Sequence, residues 1–362
     1  MAKIDRKFSK ELKKYGAFDF TSCYNCGNCT AVCSLATKDE AFPRELVRLS
    51  ALGVKEEIES SLKPWSCYYC GECSSLCPQS ADPGELMMSL RRWLTARYDW
   101  TGLSGLLYKS VPVLVGAMLL MVAAVILFAN YKQFNVKEIM HFGHLFEMYA
   151  IATVFLLILL PNILRMWYLT VIRPGKNPPF TKYFKSAGVL FLHMFTQKRT
   201  LGCDDNQRRW FEHFILVIGY LTLLMMTVLL GWMGTENIFV IVAGYLVSAI
   251  VFIVTADFVK ERIKAKKELN RHSRLKKLSR HSRPSDWLFV IWLFLMGLTA
   301  FAVRLFVDLD IINNNLWIYL IHLTVLVQWA LIIVPFGKWT HFMYRSFSMY
   351  FQSLITENNK GS

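Results

Sequence analysis

Residues 23–33 read CYNCGNCTAVC, and residues 67–78 read CYYCGECSSLCP. Each stretch spaces four cysteines as C-x2-C-x2-C-x3-C, the pattern that holds a cubane [4Fe–4S] cluster. In ferredoxins with two such clusters, the fourth cysteine of each motif ligates the other cluster. We therefore predict two clusters, one held by Cys23, Cys26, Cys29 and Cys77 and the other by Cys67, Cys70, Cys73 and Cys33.

Other uses of so many cysteines explain the pattern less well. A zinc ribbon takes four ligands as two CxxC pairs and has no role for the third and fourth cysteine of each motif. A disulfide framework requires an oxidising compartment. The first 20 residues contain no apolar segment of signal-peptide length, so we expect no secretory signal. The ninth cysteine, Cys203, stands apart, and we expect it to be structural.

The chain has 362 residues, enough for two domains, and 54% of them are hydrophobic. The first hundred residues are polar, whereas long apolar runs follow. We therefore predict a helical cluster domain at 1–100, a transmembrane domain at 101–350 and a cytoplasmic tail at 351–362. A spanning helix needs about 20 apolar residues. The sequence offers six candidates, at 109–130, 146–169, 211–232, 238–259, 286–307 and 316–337. Pro161 predicts a kink in the second.

The charges of the connecting segments predict the orientation in the membrane. Residues 260–283 carry eleven Lys or Arg against two Glu, and residues 170–209 carry eight against two Asp. The other connections are short and contain acidic residues. Basic segments stay in the cytoplasm, so we expect a multi-pass protein of the cytoplasmic (inner) membrane with both termini and the cluster domain inside. The net charge of +15 is then a topology signal, and we expect no nucleic-acid binding.

The cluster domain is predicted to be all-helical. The 33 residues between the two motifs include FPRELVRLSALGVKEEIESSLKPW, which has a helical pattern. The segment ADPGELMMSLRRWL also predicts a helix, with Pro83 in its first turn. Ser34 stands after the first motif, where Pro78 follows the second. The whole chain is thus predicted to be all-α, a two-cluster ferredoxin domain followed by a six-span bundle that binds haem b.

Six histidines lie near predicted membrane ends, where ionisable groups indicate functional sites. Two imidazoles from facing helices at one depth could ligate a b-type haem. For an inner haem we favour His213 with His341, and for an outer haem His144 with His322. On a straight helix, His322 and His341 point about 100° apart. If no kink corrects this angle, His193 replaces His341. His141 lies at the outer level, whereas His272 and His281 are expected to be solvated.

The N-terminal part resembles the C subunit of heterodisulfide reductase. The resemblance lies in the two cysteine stretches and in the segments FPRELVRLSALG and ADPGELMMSLRRW. The membrane part resembles cytochrome b subunits of the nitrate reductase gamma type. This fusion, with YDWTGLS at its junction, is similar to the C subunits of quinone-modifying oxidoreductase (Qmo) complexes. One departure concerns the haems. Gamma subunits carry two histidines about ten residues apart on one span, but the position ten residues after His213 is Leu223.

The resemblance implies one or two b haems, a menaquinone site, and soluble flavin and iron–sulfur partners like the A and B proteins of Qmo complexes. Through these partners it implies adenylylsulfate reductase in sulfur metabolism. We expect an electron-transfer subunit of a quinone-dependent oxidoreductase, since no flavin, dinucleotide or phosphate-binding motif is present. Lys198, Glu212 and Asp257 are candidates for the quinone site. The alternatives are an anchor for a heterodisulfide-reductase-like or fumarate/succinate-type enzyme, and a non-redox membrane protein with structural clusters.

Overall fold

The computed structural model describes residues 3–38, 40–198, 201, 207–233, 238–271 and 284–356. These residues form helices joined by turns and contain no β-strand. The chain divides into two compact units. The first comprises Met1–Lys109, Leu160–Gln207 and Thr340–Ser362, and the second comprises Ser110–Leu159 and Arg208–Trp339. His272, His281 and Cys203 lie outside the described residues.

The first unit begins with eight helices, most of them short. They are α1 (Phe8–Lys14), α2 (Asn28–Ala31), α3 (Arg44–Leu52), α4 (Lys55–Glu59), α5 (Lys63–Ser66), α6 (Glu72–Ser75), α7 (Pro83–Tyr98) and α8 (Leu103–Lys109). Helices α3, α4 and α5 fall in the segment between the motifs. The predicted helical character of that segment is therefore confirmed.

Helix α7 is the central element of this part of the chain. Asp82 caps it by accepting a hydrogen bond from the Glu85 N–H, and Pro83 occupies the first turn, where a missing N–H costs nothing. Trp93 is fully buried on α7, and Trp65 is fully buried at the end of α5. The predicted helix with Pro83 in its first turn is confirmed.

Later segments complete the first unit. They are α11 (Leu160–Trp167), α12 (Phe180–Lys185), α13 (Ala187–Thr196) and α19 (Thr340–Thr356). The Arg173 guanidinium donates to Glu59 at 2.7 Å, and Lys182 Nζ donates to the Leu354 carbonyl at 2.6 Å. Segments that the sequence assigned to the membrane domain thus share a unit with the motifs.

The second unit contains the long apolar helices. They are α9 (Val111–Tyr131), α10 (Val136–Val154), α14 (Gln207–Met233, from its second residue), α15 (Ile238–Arg271), α16 (Pro284–Asp308), α17 (Leu316–Gln328) and α18 (Val334–Phe336). Within the described residues, five helical runs are long and apolar enough to cross a membrane: Val111–Tyr131, Val136–Ile172, Ile241–Lys264, Asp286–Asp308 and Leu316–Thr356. The sixth predicted span, at 211–232, lies within α14, whose segment Trp210–Met226 is apolar.

Three π-helical turns interrupt the helical runs, at Phe155–Leu159, Tyr168–Ile172 and Trp329–Ile333. Each ends two residues before a proline: Pro161, Pro174 and Pro335. A proline lacks the N–H that would bond the carbonyl four residues earlier, and its ring clashes with that carbonyl. A wider turn relieves both problems. The kink expected at Pro161 therefore takes the form of a π-helical turn.

Candidate metal centres

The two cysteine motifs fold in the same way. Asn25 and Tyr69 occupy equivalent positions and both adopt left-handed backbone conformations, with φ of 62° and 61°. Gly27 and Gly71 follow with φ of 91° and 90°. Such values suit glycine because it has no Cβ. The short helices α2 and α6 start immediately after these glycines, so the sequence repeat is also a structural repeat.

Backbone N–H groups approach the sulfur atoms of both motifs. The N–H groups of Asn25 and Tyr69 lie 3.4 Å from Sγ of Cys23 and Cys67, respectively. A further N–H, that of Ala81, lies 3.3 Å from the sulfur of the last cysteine of the second motif. Hydrogen bonds to ligand sulfurs are among the features that set the potentials of iron–sulfur clusters. The loops therefore fit a thiolate-bound cluster.

The thiols of the first motif lie close to the last cysteine of the second. Burial raises the pKa of Cys29, and the negative charges of Cys23, Cys26 and Cys77 raise it further. These three side chains are thus electrostatic neighbours of Cys29. Cys77 thus lies near enough to the first motif to act on Cys29, and the crossed assignment stays a prediction.

The reciprocal grouping is found at the second motif. Burial raises the pKa of Cys33, with Cys67 and Cys70 adding to the shift. Burial also raises the pKa of Cys73 to about 12, and the neighbouring charges are those of Cys67, Cys70 and Cys33. The fold therefore brings Cys33 to the second motif.

The described cysteines do not converge on a single metal-ion position. Among the described residues, no group of three or more His, Cys, Asp or Glu is arranged to hold a single metal ion. In a cubane cluster the four thiolates bind four different irons. A cluster therefore fits this arrangement better than a mononuclear ion does, because the thiols are separated, N–H groups are directed at sulfur and the loop is repeated.

Two adjacent arginines on α7 are buried beside the second motif. Arg92 Nη1 donates to Glu85 Oε1 at 2.8 Å, and Glu85 Oε2 also accepts the Tyr69 hydroxyl at 3.0 Å. Arg91 instead donates to backbone carbonyls, including that of Cys67 at 2.5 Å. Neither arginine was among the residues predicted from the sequence. The sequence feature that could have indicated them is a pair of adjacent arginines in an otherwise apolar helical segment.

Two of the predicted haem ligands belong to the first unit. His341 lies in the first turn of α19, because the chain leaves the helical path at Gly337, where the backbone is extended, and the next helix starts at Thr340. Its Nε2 lies 3.3 Å from Arg91 Nη1, and its ring centroid lies 5.6 Å from that of Trp65. A haem at His341 would require it to leave Arg91. The alternative ligand, His193, is half-buried on α13.

The other three predicted ligands belong to the second unit. His322 is buried on α17, with Nδ1 2.9 Å from the Thr299 hydroxyl and Nε2 3.5 Å from Glu147 Oε1. The Thr299 contact suits an axial ligand, whose second nitrogen is held by a protein group. Iron at Nε2 would require Glu147 to turn away. His144 is exposed on α10, and His213 is half-buried on α14.

The predicted quinone-site candidates have different surroundings. Arg208 bridges Glu212 and Asp257, at 2.6 Å and 2.7 Å. Lys198 is exposed, with its N–H bonded to Thr196. Glu147 was not predicted from the sequence. The feature that could have indicated it is a carboxylate within an apolar segment. Its contact with His322 makes it a further candidate.

Comparison with known proteins defines the N-terminal part. Residues 22–81 match the family model of a 4Fe–4S dicluster domain. A protein of Archaeoglobus profundus that is like the C subunit of heterodisulfide reductase is 29% identical over 96 residues, covering 26% of this chain and 51% of that protein. The C subunit of the H(2):CoB-CoM heterodisulfide,ferredoxin reductase of Methanothermobacter thermautotrophicus is 33% identical over 62 residues. The corresponding protein of Methanothermobacter marburgensis gives the same figures.

The match covers a limited part of each protein. The chain spans about half the length of the Archaeoglobus relative and about a third of the Methanothermobacter relatives. No solved structure matches. The chain therefore carries an N-terminal dicluster domain homologous to the C subunit of heterodisulfide reductase. This electron-transfer class of domain is joined to helices that can span a membrane.

Proposed function

We propose that this chain is the membrane electron-transfer subunit of a respiratory complex, passing electrons between menaquinol or menaquinone and two [4Fe–4S] clusters. One observation carries the proposal: a dicluster domain and apolar helical runs of spanning length, five of them within the described residues, occur in one polypeptide. Clusters exchange single electrons, whereas a quinone dissolves in the bilayer. A chain with both parts is suited to connect them.

The cluster ligands are proposed to follow the crossed pattern. The grouping of Cys29 with Cys77, and of Cys33 with Cys67, supports it. The full sets are Cys23, Cys26, Cys29 and Cys77 for one cluster, and Cys67, Cys70, Cys73 and Cys33 for the other. Each cluster supplies one-electron transfer. The protein holds the thiolates and directs N–H groups at their sulfurs.

Haem b is proposed as a further carrier, on the resemblance and on the histidines. The proposed inner ligands are His213 with His341 or His193, and the outer ligands are His144 with His322. A haem bound there would relay single electrons. The protein's contribution at the outer position is clearest at His322, whose ring is oriented by Thr299.

Quinol oxidation also releases protons, and Glu147 is proposed to accept one. It lies on a helical run of spanning length, 3.5 Å from His322 Nε2. Ionisable side chains in such helices commonly mark proton paths. The carboxylate would take the proton while the electrons leave singly toward the clusters.

The soluble partners are proposed to be cytoplasmic flavin and iron–sulfur subunits like those of Qmo complexes, serving adenylylsulfate reductase. The named relatives are themselves subunits of larger reductases, which supports a multisubunit assembly. The second candidate is an anchor for a heterodisulfide-reductase-like or fumarate/succinate-type enzyme. Co-purification from native membranes, followed by identification of the bound subunits, distinguishes the two.

An optical experiment tests the quinone step. The anaerobically purified chain is mixed with a menaquinol analogue and then with dithionite, and reduced-minus-oxidised spectra are recorded. The proposal expects the quinol to reduce carriers that dithionite also reduces, with an α band of bis-histidine haem b above the cluster absorbance. If dithionite reduces the carriers but the quinol leaves them oxidised, the quinone proposal is overturned.

A further inference from the structure

Arg91 is a buried cation at the base of the second cysteine motif. Its side chain lies on α7, and the residue is 4% exposed. The guanidinium donates to the carbonyls of Pro64 at 2.7 Å, Trp65 at 3.2 Å and Cys67 at 2.5 Å. These carbonyls line the approach to the first cysteine of the motif. Arg91 therefore places its charge directly behind Cys67.

Within the part of the chain that the structure describes, Arg91 has no carboxylate partner. Its other contacts are Met88 Sδ at 3.6 Å, His341 Nε2 at 3.3 Å and the Trp65 ring, whose centroid lies 5.9 Å from the guanidinium carbon. The adjacent Arg92 is also buried, but Glu85 neutralises it at 2.8 Å. Burying a charge is costly unless it is paired. The group beside Cys67 that can compensate Arg91 is an anionic, thiolate-bound cluster.

A fixed positive charge beside a cluster favours its reduced state. Reduction adds one negative charge, and the attraction to a nearby cation is strong where water is excluded. An arginine stays protonated throughout the physiological range. We propose that Arg91 raises the reduction potential of the cluster on Cys67, Cys70 and Cys73, making it the preferred electron acceptor of the pair. This inference rests on the ligand sets proposed above.

The first motif has no equivalent buried charge among the described residues. Arg44 is its nearest counterpart, with Nη1 3.1 Å from where a Cβ on Gly27 would lie. Arg44 is only partly buried, however, so water screens its charge. The two clusters are thus expected to have different potentials.

The test is an EPR-monitored redox titration of the full-length, detergent-purified chain with chemical mediators and no quinone. Arg91→Gln should lower the reduced-to-oxidised ratio of one cluster at fixed poise by about tenfold or more, a shift of about 59 mV per tenfold for one electron. Arg91→Lys, which keeps the charge, should stay near the wild type. That cluster should be the one whose signal disappears in Cys70→Ser.

A second pair of variants keeps every Arg91 carbonyl bond. Met88 is buried against Arg91, so Met88→Glu would neutralise the cation, whereas Met88→Gln has nearly the same shape without charge. The proposal expects Met88→Glu, compared with Met88→Gln, to lower the potential of the same cluster. The double variant Glu85→Gln with Arg92→Gln removes a neutral pair from the same helix, and it should leave both potentials nearly unchanged.

The outcomes separate charge from structure. Equal potentials in Met88→Glu and Met88→Gln, or an unchanged potential in Arg91→Gln with full iron content, would overturn the proposal. If Arg91→Gln loses the cluster, the Met88 pair still decides. Because the titration uses no quinone, failure here leaves the quinone proposal standing, and failure of the quinone proposal leaves this inference standing.

Discussion

At the scale of single residues, the cysteine spacing was the most informative part of the sequence. Three cysteines separated by two residues each can reach three irons of one cluster, so the fourth is left for the neighbour. Cys77 is an electrostatic neighbour of Cys29, and Cys67 of Cys33, so the crossed ligand sets stay a prediction that this proximity supports. Arg91 could not be predicted, because its role depends on carbonyls of a segment more than twenty residues away.

The crossed ligand sets predict how single substitutions will group. Cys77→Ser should damage the same cluster signal as Cys23→Ser, and Cys33→Ser the same signal as Cys67→Ser. EPR spectra of the four reduced variants, each with iron analysis, check this grouping. If Cys77→Ser instead matched Cys67→Ser, each motif would hold its own cluster.

Glu147 provides a prediction about the proton rather than the electron. Glu147→Gln keeps the shape of the side chain but removes its ability to accept a proton, so quinol-dependent reduction should slow by about tenfold or more. Glu138→Gln, on the same helix and paired with Lys132 at 2.8 Å, is the matched control and should leave the rate unchanged. Stopped-flow absorbance measures both. Equal rates in the two variants would remove Glu147 from the proton path.

At the scale of elements, the apolar runs predicted most long helices, whereas their irregularities depend on local chemistry. Prolines indicated where helices would deform, and a π-helical turn precedes each of Pro161, Pro174 and Pro335. The break at Gly337 separates His322 and His341 onto different helices. The span predicted at 316–337 ends at this glycine.

Close packing of α10 against α17 gives a prediction about stability. An added Cβ at Gly143 would overlap the Tyr319 hydroxyl, which itself bonds the Met140 carbonyl. Gly143→Ala should therefore destabilise the protein by about 1–3 kcal/mol. A thermal unfolding assay in detergent measures the change.

Gly116 on α9 is the matched control, because an added Cβ would meet no atom within 4 Å. Gly116→Ala should be neutral or stabilising by up to about 1 kcal/mol. Tyr319→Phe should partly rescue Gly143→Ala by removing the hydroxyl. Equal midpoints for the two alanine variants would show that α10 and α17 are not closely packed there.

At the scale of the whole molecule, the sequence predicts a polar cluster domain before an apolar part, and residues 22–81 match a 4Fe–4S dicluster domain. It did not predict that 160–207 and 340–356 would share a unit with the motifs. Contacts such as Lys182 with the Leu354 carbonyl join residues 172 positions apart, and no local pattern reports them. The sequence marked 170–209 only as a basic connection between predicted spans.

The basic segments predict the orientation of the chain in the membrane. Residues 260–283, with eleven Lys or Arg, should face the cytoplasm, and the acidic connection near Asp310 should face outward. A green fluorescent protein fused after Arg283 should fluoresce, and alkaline phosphatase fused after Asn313 should be active. The reverse pattern would place the cluster domain outside and contradict the proposed cytoplasmic partners.

The most direct measurement of the central proposal follows electrons between the clusters and the quinone. The chain is reconstituted in liposomes, its clusters are reduced with limiting dithionite, and a menaquinone analogue is added without oxygen. EPR then follows the reduced clusters. We predict that the quinone reoxidises both clusters. Cluster-free protein should give no EPR signal of reduced clusters. The quinone proposal would be contradicted if the clusters remained reduced with the quinone although ferricyanide oxidised them at once.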